Sequence, residues 1–281
     1  MEKKVLVPTN FSKHAWNALV YGLNLYRDIP CTFFILNTYE ASNRLSFPKT
    51  KKGESEDAKL ESEKGLQKIL QGLNFRKENL QHKFEVISSK KDLTKAIQET
   101  VDQHNIDLVL MAAHGAKVSI NTAFENEISE VTDVIQNCSF LILPENLTNA
   151  PTEKPEIVFP TNYKFAIKNK EVTPLRELAV SLNAAIRVLY IEDSRKSLSE
   201  TQEKNKESLK AYFPGIALSF HQLSQTTLTT GIHLFIESRE SSFLALFKRK
   251  KGFFSKLFSQ QFTEEIDFNP TVPVLILKEM E

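Results

Sequence analysis

The sequence predicts an α/β protein built twice over, each half a five-stranded parallel sheet flanked by helices. A short signature recurs: Val7-Pro8-Thr9-Asn10-Phe11 returns as Phe159-Pro160-Thr161-Asn162-Tyr163. Each copy closes an apolar run with a proline and a small polar residue, as a strand does where it enters a loop. Further matches keep the same order, 32–40 with 185–193, 108–112 with 243–247 and 139–145 with 273–279. A repeat of this length fixes the architecture before any single element does. Continuous apolar runs alternate with amphipathic segments, and runs apolar on both faces belong to strands covered on both sides, as in a parallel sheet.

In the first half the strand-like runs are 4–7, 32–36, 84–87, 108–112 and 140–143. The first helix falls at 12–26, where Ala15, Ala18, Leu19, Gly22 and Leu23 share a face and Ser12 is placed to cap the first turn. The others fall at 54–73, 93–104 and 124–135. In the second half strands fall near Ile157, Ile186, Leu218, Leu244 and Leu275, with helices at 174–183, 200–212, 228–238 and 253–266. Right-handed crossovers make each half an open doubly wound sheet. The polar, proline-bounded stretch 147–155 reads as a linker between domains at 1–146 and 156–281.

The chain has 281 residues, 41% hydrophobic and 25% charged, enough for two cores. Its formal net charge of +1 provides no global field to hold nucleic acid or an anionic membrane. Both cysteines, Cys31 and Cys138, sit in strand-like runs and read as buried, unpaired thiols of a reducing compartment. No signal-peptide segment follows Met1-Glu2-Lys3-Lys4 and no apolar stretch approaches a membrane span, so a cytoplasmic protein is expected.

In such sheets a ligand binds beyond the carboxyl ends of the strands, where the strand order reverses. The relevant loops follow strands one and four of each half: Pro8-Thr9-Asn10 with Ala112-Ala113-His114-Gly115, and Pro160-Thr161-Asn162 with Lys248-Arg249-Lys250-Lys251. The four cations read either as an anion site or as a solvated loop. Phe247, Phe253, Phe254 and Phe258 nearby fit a helix packed on its own sheet better than a membrane-docking face. No G-x-x-x-x-G-K-S/T loop, H-E-x-x-H helix, C-x-x-C pair or G-x-S-x-G elbow occurs. The six histidines lack ligand spacing, and no catalytic residue or metal set is assigned. His114 lies in the site loop, where it could touch a ligand or face solvent. An asparagine at positions 10 and 162 can fix its loop without any ligand.

The stretches 4–12, 107–115 and 138–144, with Ala15, Ala18 and Tyr21 between them, resemble a universal stress protein domain. The second half resembles the divergent second domain of tandem members from Bacteroidetes-type bacteria, through 248–258 and Thr263. The resemblance covers essentially the whole chain. It implies two Rossmann-like (adenine nucleotide alpha hydrolase-like) domains and a cytoplasmic, non-enzymatic stress-response role through partner or small-ligand binding. Its alternative is an adenine-nucleotide-binding protein, holding ATP or AMP, with slow hydrolysis.

Nucleotide-binding members carry glycine, two residues, glycine, nine residues, glycine and Ser or Thr after the fourth strand, and an aspartate after the first. Glycines let backbone N–H groups approach phosphates, and the following helix start favours the anion. Read onto this chain, the glycine positions are Ala112, Gly115 and, after one inserted residue, Asn126; the hydroxyl position is Glu127 and the aspartate position Asn10. Carboxylates at Glu125, Glu127 and Glu130 would repel a phosphate. The implied first-half ligand set is Pro8, Asn10, Thr38, Ala112, His114, Gly115, Asn126 and Glu127. The second-half anion set is Asn162, Lys248, Arg249, Lys250 and Lys251. The resemblance also implies pairing through last strands, 140–143 against 274–277 within the chain, which covers apolar edges and leaves room for a homo-oligomer or a protein partner.

Overall fold

The computed structural model describes residues 2–39, 53–76, 81–113, 123–144, 147, 153–191, 197–249 and 271–279. The fold is a mixed α/β one, and the chain divides into two compact units: Met1–Ala112 with Ala123–Cys138, and Ala113–Thr122 with Ser139–Glu281.

Unit one holds β1 (Lys3–Pro8), α1 (Lys13–Leu25), β2 (Cys31–Thr38), α2 (Gly53–Asn74), β3 (Lys83–Ser89), α3 (Leu93–His104), β4 (Leu108–Ala112) and α4 (Ala123–Val134). Its strands run parallel in the order β3-β2-β1-β4. The core consists of the apolar runs read from the sequence, with Val5, Leu6, Phe33, Ile35, Val109 and Leu110 fully buried. Helix α1 buries the face formed by Ala15, Ala18, Leu19, Gly22 and Leu23, and the Ser12 hydroxyl accepts from the Ala15 N–H at 3.2 Å. Trp16 of α1 seats its ring on Gly72 of α2, where an added Cβ would lie 3.0 Å from the indole.

Unit two holds β5 (Ser139–Leu143), β6 (Glu156–Pro160), a 3-10 turn (Asn169–Val172), α5 (Thr173–Leu182), β7 (Ala185–Ile191), α6 (Glu200–Ala211), β8 (Leu218–Leu223), α7 (Leu228–Arg239), β9 (Phe243–Lys248) and β10 (Val274–Lys278). Its order is β5-β10-β9-β6-β7-β8. The strands from β10 to β8 are parallel, and β5 runs antiparallel to β10, with Phe140 opposite Ile276 and Ile142 opposite Val274. Strand β5 closes the first repeat in sequence, yet this ladder makes it part of the second compact unit. The expected helix at 253–266 lies outside the described residues, as does most of the 147–155 linker.

Both cysteines are buried thiols, not joined in a disulfide, and donate to the Ile29 and Ile106 carbonyls. Burial pushes the Cys31 thiol up to about 12. Among the described residues no helix is long and apolar enough to cross a membrane.

One ion-pair cluster ties unit two together at the amino end of β6. The Glu156 carboxylate accepts from Arg187 of β7 at 2.6 and 2.9 Å and from Arg239 at the end of α7 at 2.8 Å. Burial by itself would raise its pKa, but the hydrogen bonds from Arg239 and Arg187 outweigh that and hold it at about 2, against 4.5 ordinarily. A carboxylate depressed in the folded state stabilises the fold above its unfolded pKa and loses that contribution as pH falls towards the folded value. Glu156→Gln is therefore expected to cost about 1–2 kcal/mol at pH 7, since solvent screens part of the attraction in this partly exposed cluster. In urea unfolding at stepped pH, its gap to wild type should close between about 4.5 and about 2.

Candidate functional site

Parallel strands deliver their carboxyl ends to one edge of each sheet, so the ends of β1, β2 and β4 bring Pro8, Thr38 and Ala112 to the same edge of unit one. The order reverses between β1 and β4, and in unit two between β6 and β9.

The Pro-Thr-Asn signature builds the same turn in both units. The Thr9 N–H donates to the Leu36 carbonyl at 2.8 Å, as Thr161 does to Leu189 at 2.9 Å, which registers the loop on the neighbouring strand. The Thr9 hydroxyl accepts from the Phe11 N–H at 3.0 Å, and Thr161 accepts from Tyr163 at 3.2 Å. The Asn10 side-chain carbonyl accepts from the Ser12 N–H at 3.1 Å, and Asn162 accepts from Lys164 at 3.0 Å. These bonds hold the aromatic residue between them at positive φ, 62° for Phe11 and 56° for Tyr163, a conformation that bulky side chains rarely adopt. Both asparagines thus spend their side-chain oxygen on the backbone two residues on.

The turns then diverge in what surrounds them. In unit one the buried Asn37 amide donates to the Thr9 carbonyl at 2.7 Å. The tip of the Phe11 ring rests on Gly65 of α2, where an added Cβ would lie 2.4 Å from it, and the residue stays 42% exposed. Asn10 is exposed, and Thr38 and Ala112 are half-buried.

In unit two Tyr190, the repeat partner of Asn37, packs against Tyr163 with ring centroids 5.6 Å apart and planes tilted by 30°, and Tyr163 is only 2% exposed. Two side chains of α6 fasten the loop carbonyls: Gln202 donates to Asn162 and Asn205 to Tyr163, each at 2.8 Å. Burial, reinforced by Glu203 and Tyr190, raises the Tyr163 phenol above its ordinary pKa, so the ring stays neutral.

Of the basic run after β9, Lys248 is buried and Arg249 is committed to its own chain. The guanidinium donates to the Ala166 carbonyl at 2.7 Å and to Glu279 at 3.3 Å, and lies 3.8 Å from the buried Glu171 carboxylate. It also lies over the rings of Phe247 and Phe165, at 4.8 and 5.3 Å from their centroids. His114, Gly115, Lys250 and Lys251 lie outside the described residues; Asn126 and Glu127 fall in α4, and their side chains lie outside them.

Sequence reasoning passed over Asn37, Gln202, Asn205, Glu171 and Glu279. Asn37 was the visible one, a lone amide closing an apolar strand run; the others meet the loops only through the fold.

Residues 1–129 match the universal stress protein family. That match runs from β1 into α4 and takes in the Phe11 loop. Among solved structures, a universal stress protein from Archaeoglobus fulgidus DSM 4304 is similar at TM-score 0.66 and 12% identity, over 98% of this chain and 96% of its own. A protein of Pseudomonas aeruginosa UCBPP-PA14 assigned to the universal stress proteins is similar at 0.61 and 12% identity, over 99% and 93%. At that identity the likeness is one of fold, and it extends over both repeats. No match emerges among curated proteins.

The two rings should respond differently to truncation. Tyr163→Ala is expected to destabilise the protein by about 3–5 kcal/mol, as deletion of a buried ring does, and Phe11→Ala by about 1 kcal/mol or less. Chemical denaturation of the two variants side by side checks this.

Proposed function

We propose that this chain is a cytoplasmic tandem stress-response protein of the universal stress protein type that acts by binding a partner or a small ligand and not by catalysis. The observation that carries the reading is the shared turn. At the position where nucleotide-binding relatives present an aspartate, both units have an asparagine whose oxygen is already taken by a backbone N–H. A neutral amide engaged in this way can orient a loop or donate to a ligand, but it offers no general base. The carboxylates at Glu125, Glu127 and Glu130 add like charge to the segment that would have to face phosphates.

On the same reading, the β5–β10 ladder takes the place of pairing between two separate copies. It joins the strand that ends the first repeat to the strand that ends the second, and it leaves association into a homo-oligomer to other surfaces.

The test is calorimetric titration with ATP, AMP and cyclic AMP, together with a phosphate-release assay. The expected result is no turnover above the buffer rate and no preference for ATP over AMP. Micromolar ATP affinity that falls when Gly115 is replaced by a bulky residue, or steady phosphate release, would overturn the reading in favour of an ATP-binding protein with slow hydrolysis.

A further inference from the structure

We propose that unit two carries an acid-sensitive latch, a closed ring of contacts through Glu156, Arg187, Ser219, His221, Phe235 and Arg239 that opens between Ser219 and His221 when the imidazole takes up a proton and so loosens β8 from α7. The inference needs no bound ligand and stands apart from the binding reading above.

The ring follows from strand register. Arg187 of β7 lies opposite Ser219 of β8, and His221, two residues on, shares that face of the strand. Arg187 directs one side of its guanidinium at Glu156 of β6 and donates with the remaining Nη1 to the Ser219 hydroxyl at 2.8 Å. The hydroxyl oxygen lies 2.7 Å from His221 Nε2. The imidazole in turn meets the Phe235 ring of α7 edge-on, with centroids 5.1 Å apart. Arg239, one turn further along α7, lays its guanidinium over the same ring at 5.7 Å and donates to Glu156 at 2.8 Å, which closes the circuit. Three strands and a helix are tied together by two guanidinium groups around one carboxylate.

The link between Ser219 and His221 fixes a protonation state. A guanidinium only donates, so the hydroxyl proton points to Nε2, which accepts it as the bare nitrogen of a neutral ring protonated at Nδ1. A second proton on the ring turns Nε2 into a donor. Two N–H groups then converge on one hydroxyl oxygen, the hydroxyl proton loses its acceptor, and a third cation joins two guanidinium groups that share a single carboxylate. Burial first, then Arg239 and Arg187, hold the imidazole below its ordinary 6.5, and Glu156 pulls the other way without prevailing. With its pKa lower in the folded than in the unfolded chain, His221 binds fewer protons when folded. Its stabilising effect is therefore complete above 6.5 and is lost as pH falls towards the folded value. That window opens above the one in which Glu156 itself is protonated, from about 4.5 downwards.

The test follows the isotope-labelled imidazole nitrogens of the full chain by NMR from about pH 8 to about pH 5, with His221 assigned by the signal lost in His221→Gln. Amide exchange of residues 218–223 is measured alongside, as protection relative to an unstructured chain, so that the intrinsic pH dependence of exchange cancels. His221 is expected in the Nδ1–H form at neutral pH and to titrate below 6.5. Ser219→Ala should move that titration upward, because the neutral ring loses its donor. Protection should fall about fivefold across the range in the wild type and stay level in His221→Gln, whose amide oxygen accepts from Ser219 at every pH. Comparison with that variant also removes any share of His82 in unit one, which burial likewise holds below its ordinary value. An Nε2–H ring at neutral pH, an unmoved titration in Ser219→Ala, level protection in the wild type, or equal losses in the wild type and His221→Gln would each overturn the latch.

Discussion

A bulky residue held at positive φ directly after the first strand is the constraint from which both strand-end regions are built. Left-handed backbone at a residue with a Cβ costs about 1–3 kcal/mol and persists only where the surroundings over-determine it. Here each unit applies the same two devices, a threonine hydroxyl and an asparagine amide oxygen, each accepting a backbone N–H two residues on. That explains why Thr and Asn recur together in the signature: they are the short side chains able to close such turns. It also explains why an aspartate is not required there. What the turn needs is an acceptor oxygen at that distance, and an amide supplies one without bringing a charge to the strand ends.

Once the turn is set, the direction of the aromatic ring decides what the region can do. Phe11 lies against a helix that offers a glycine, so the ring is supported at its tip and remains partly in solvent. Tyr163 meets a second aromatic ring and a helix that offers Gln202 and Asn205, so ring and carbonyls are drawn into the unit. Where Asn37 of β2 holds the loop in one repeat, its counterpart Tyr190 packs on the loop's ring in the other, and Gln202 and Asn205 of α6 hold the loop carbonyls. The same backbone therefore carries a surface in one unit and an interior in the other.

Most of the fold was legible because burial on both faces writes continuous apolar runs, and periodic faces separate helices from strands. The helix at Leu93–His104 and the strand at Leu108–Ala112 fall where the pattern places them, and Ser12 caps α1 as its position implies. The strand-end region was legible only as a location. Its character depends on meetings between distant elements: the carboxylates of Glu171 and Glu279 reach Arg249 from 78 and 30 positions away in sequence, and nothing local to the Lys248-Arg249 run announces them. A charge run reads as solvated or ligand-seeking until the fold supplies its counter-ions. The partner of β5 came from the family resemblance and not from the strand itself, since an apolar strand states that it pairs but not with which edge.

The opposite edge of the sheets shows the same separation between scaffold and chemistry. In unit one the Asp107 N–H donates to the Lys4 carbonyl at 3.0 Å, and in unit two the Ser242 N–H donates to the Glu156 carbonyl at 2.9 Å, one backbone bond made twice. Both are entered through a helix ending in a left-handed residue, Asn105 after α3 and Glu240 after α7. The side chains on that common frame have opposite sign. Lys4 donates to the His104 carbonyl at the end of α3, where a cation suits the helix dipole; Glu156 instead draws Arg239 from the end of α7 and Arg187 from β7. A carboxylate near a helix carboxyl end would be unfavourable alone, and it is tolerated because two guanidinium groups donate to it. Backbone geometry survives such a reversal because its hydrogen bonds do not consult the side chain, whereas each charge must find partners wherever the fold happens to bring them. Among the described residues, the two halves accordingly share the Pro-Thr-Asn turn and the left-handed ends of α3 and α7, while the side-chain contacts around them differ.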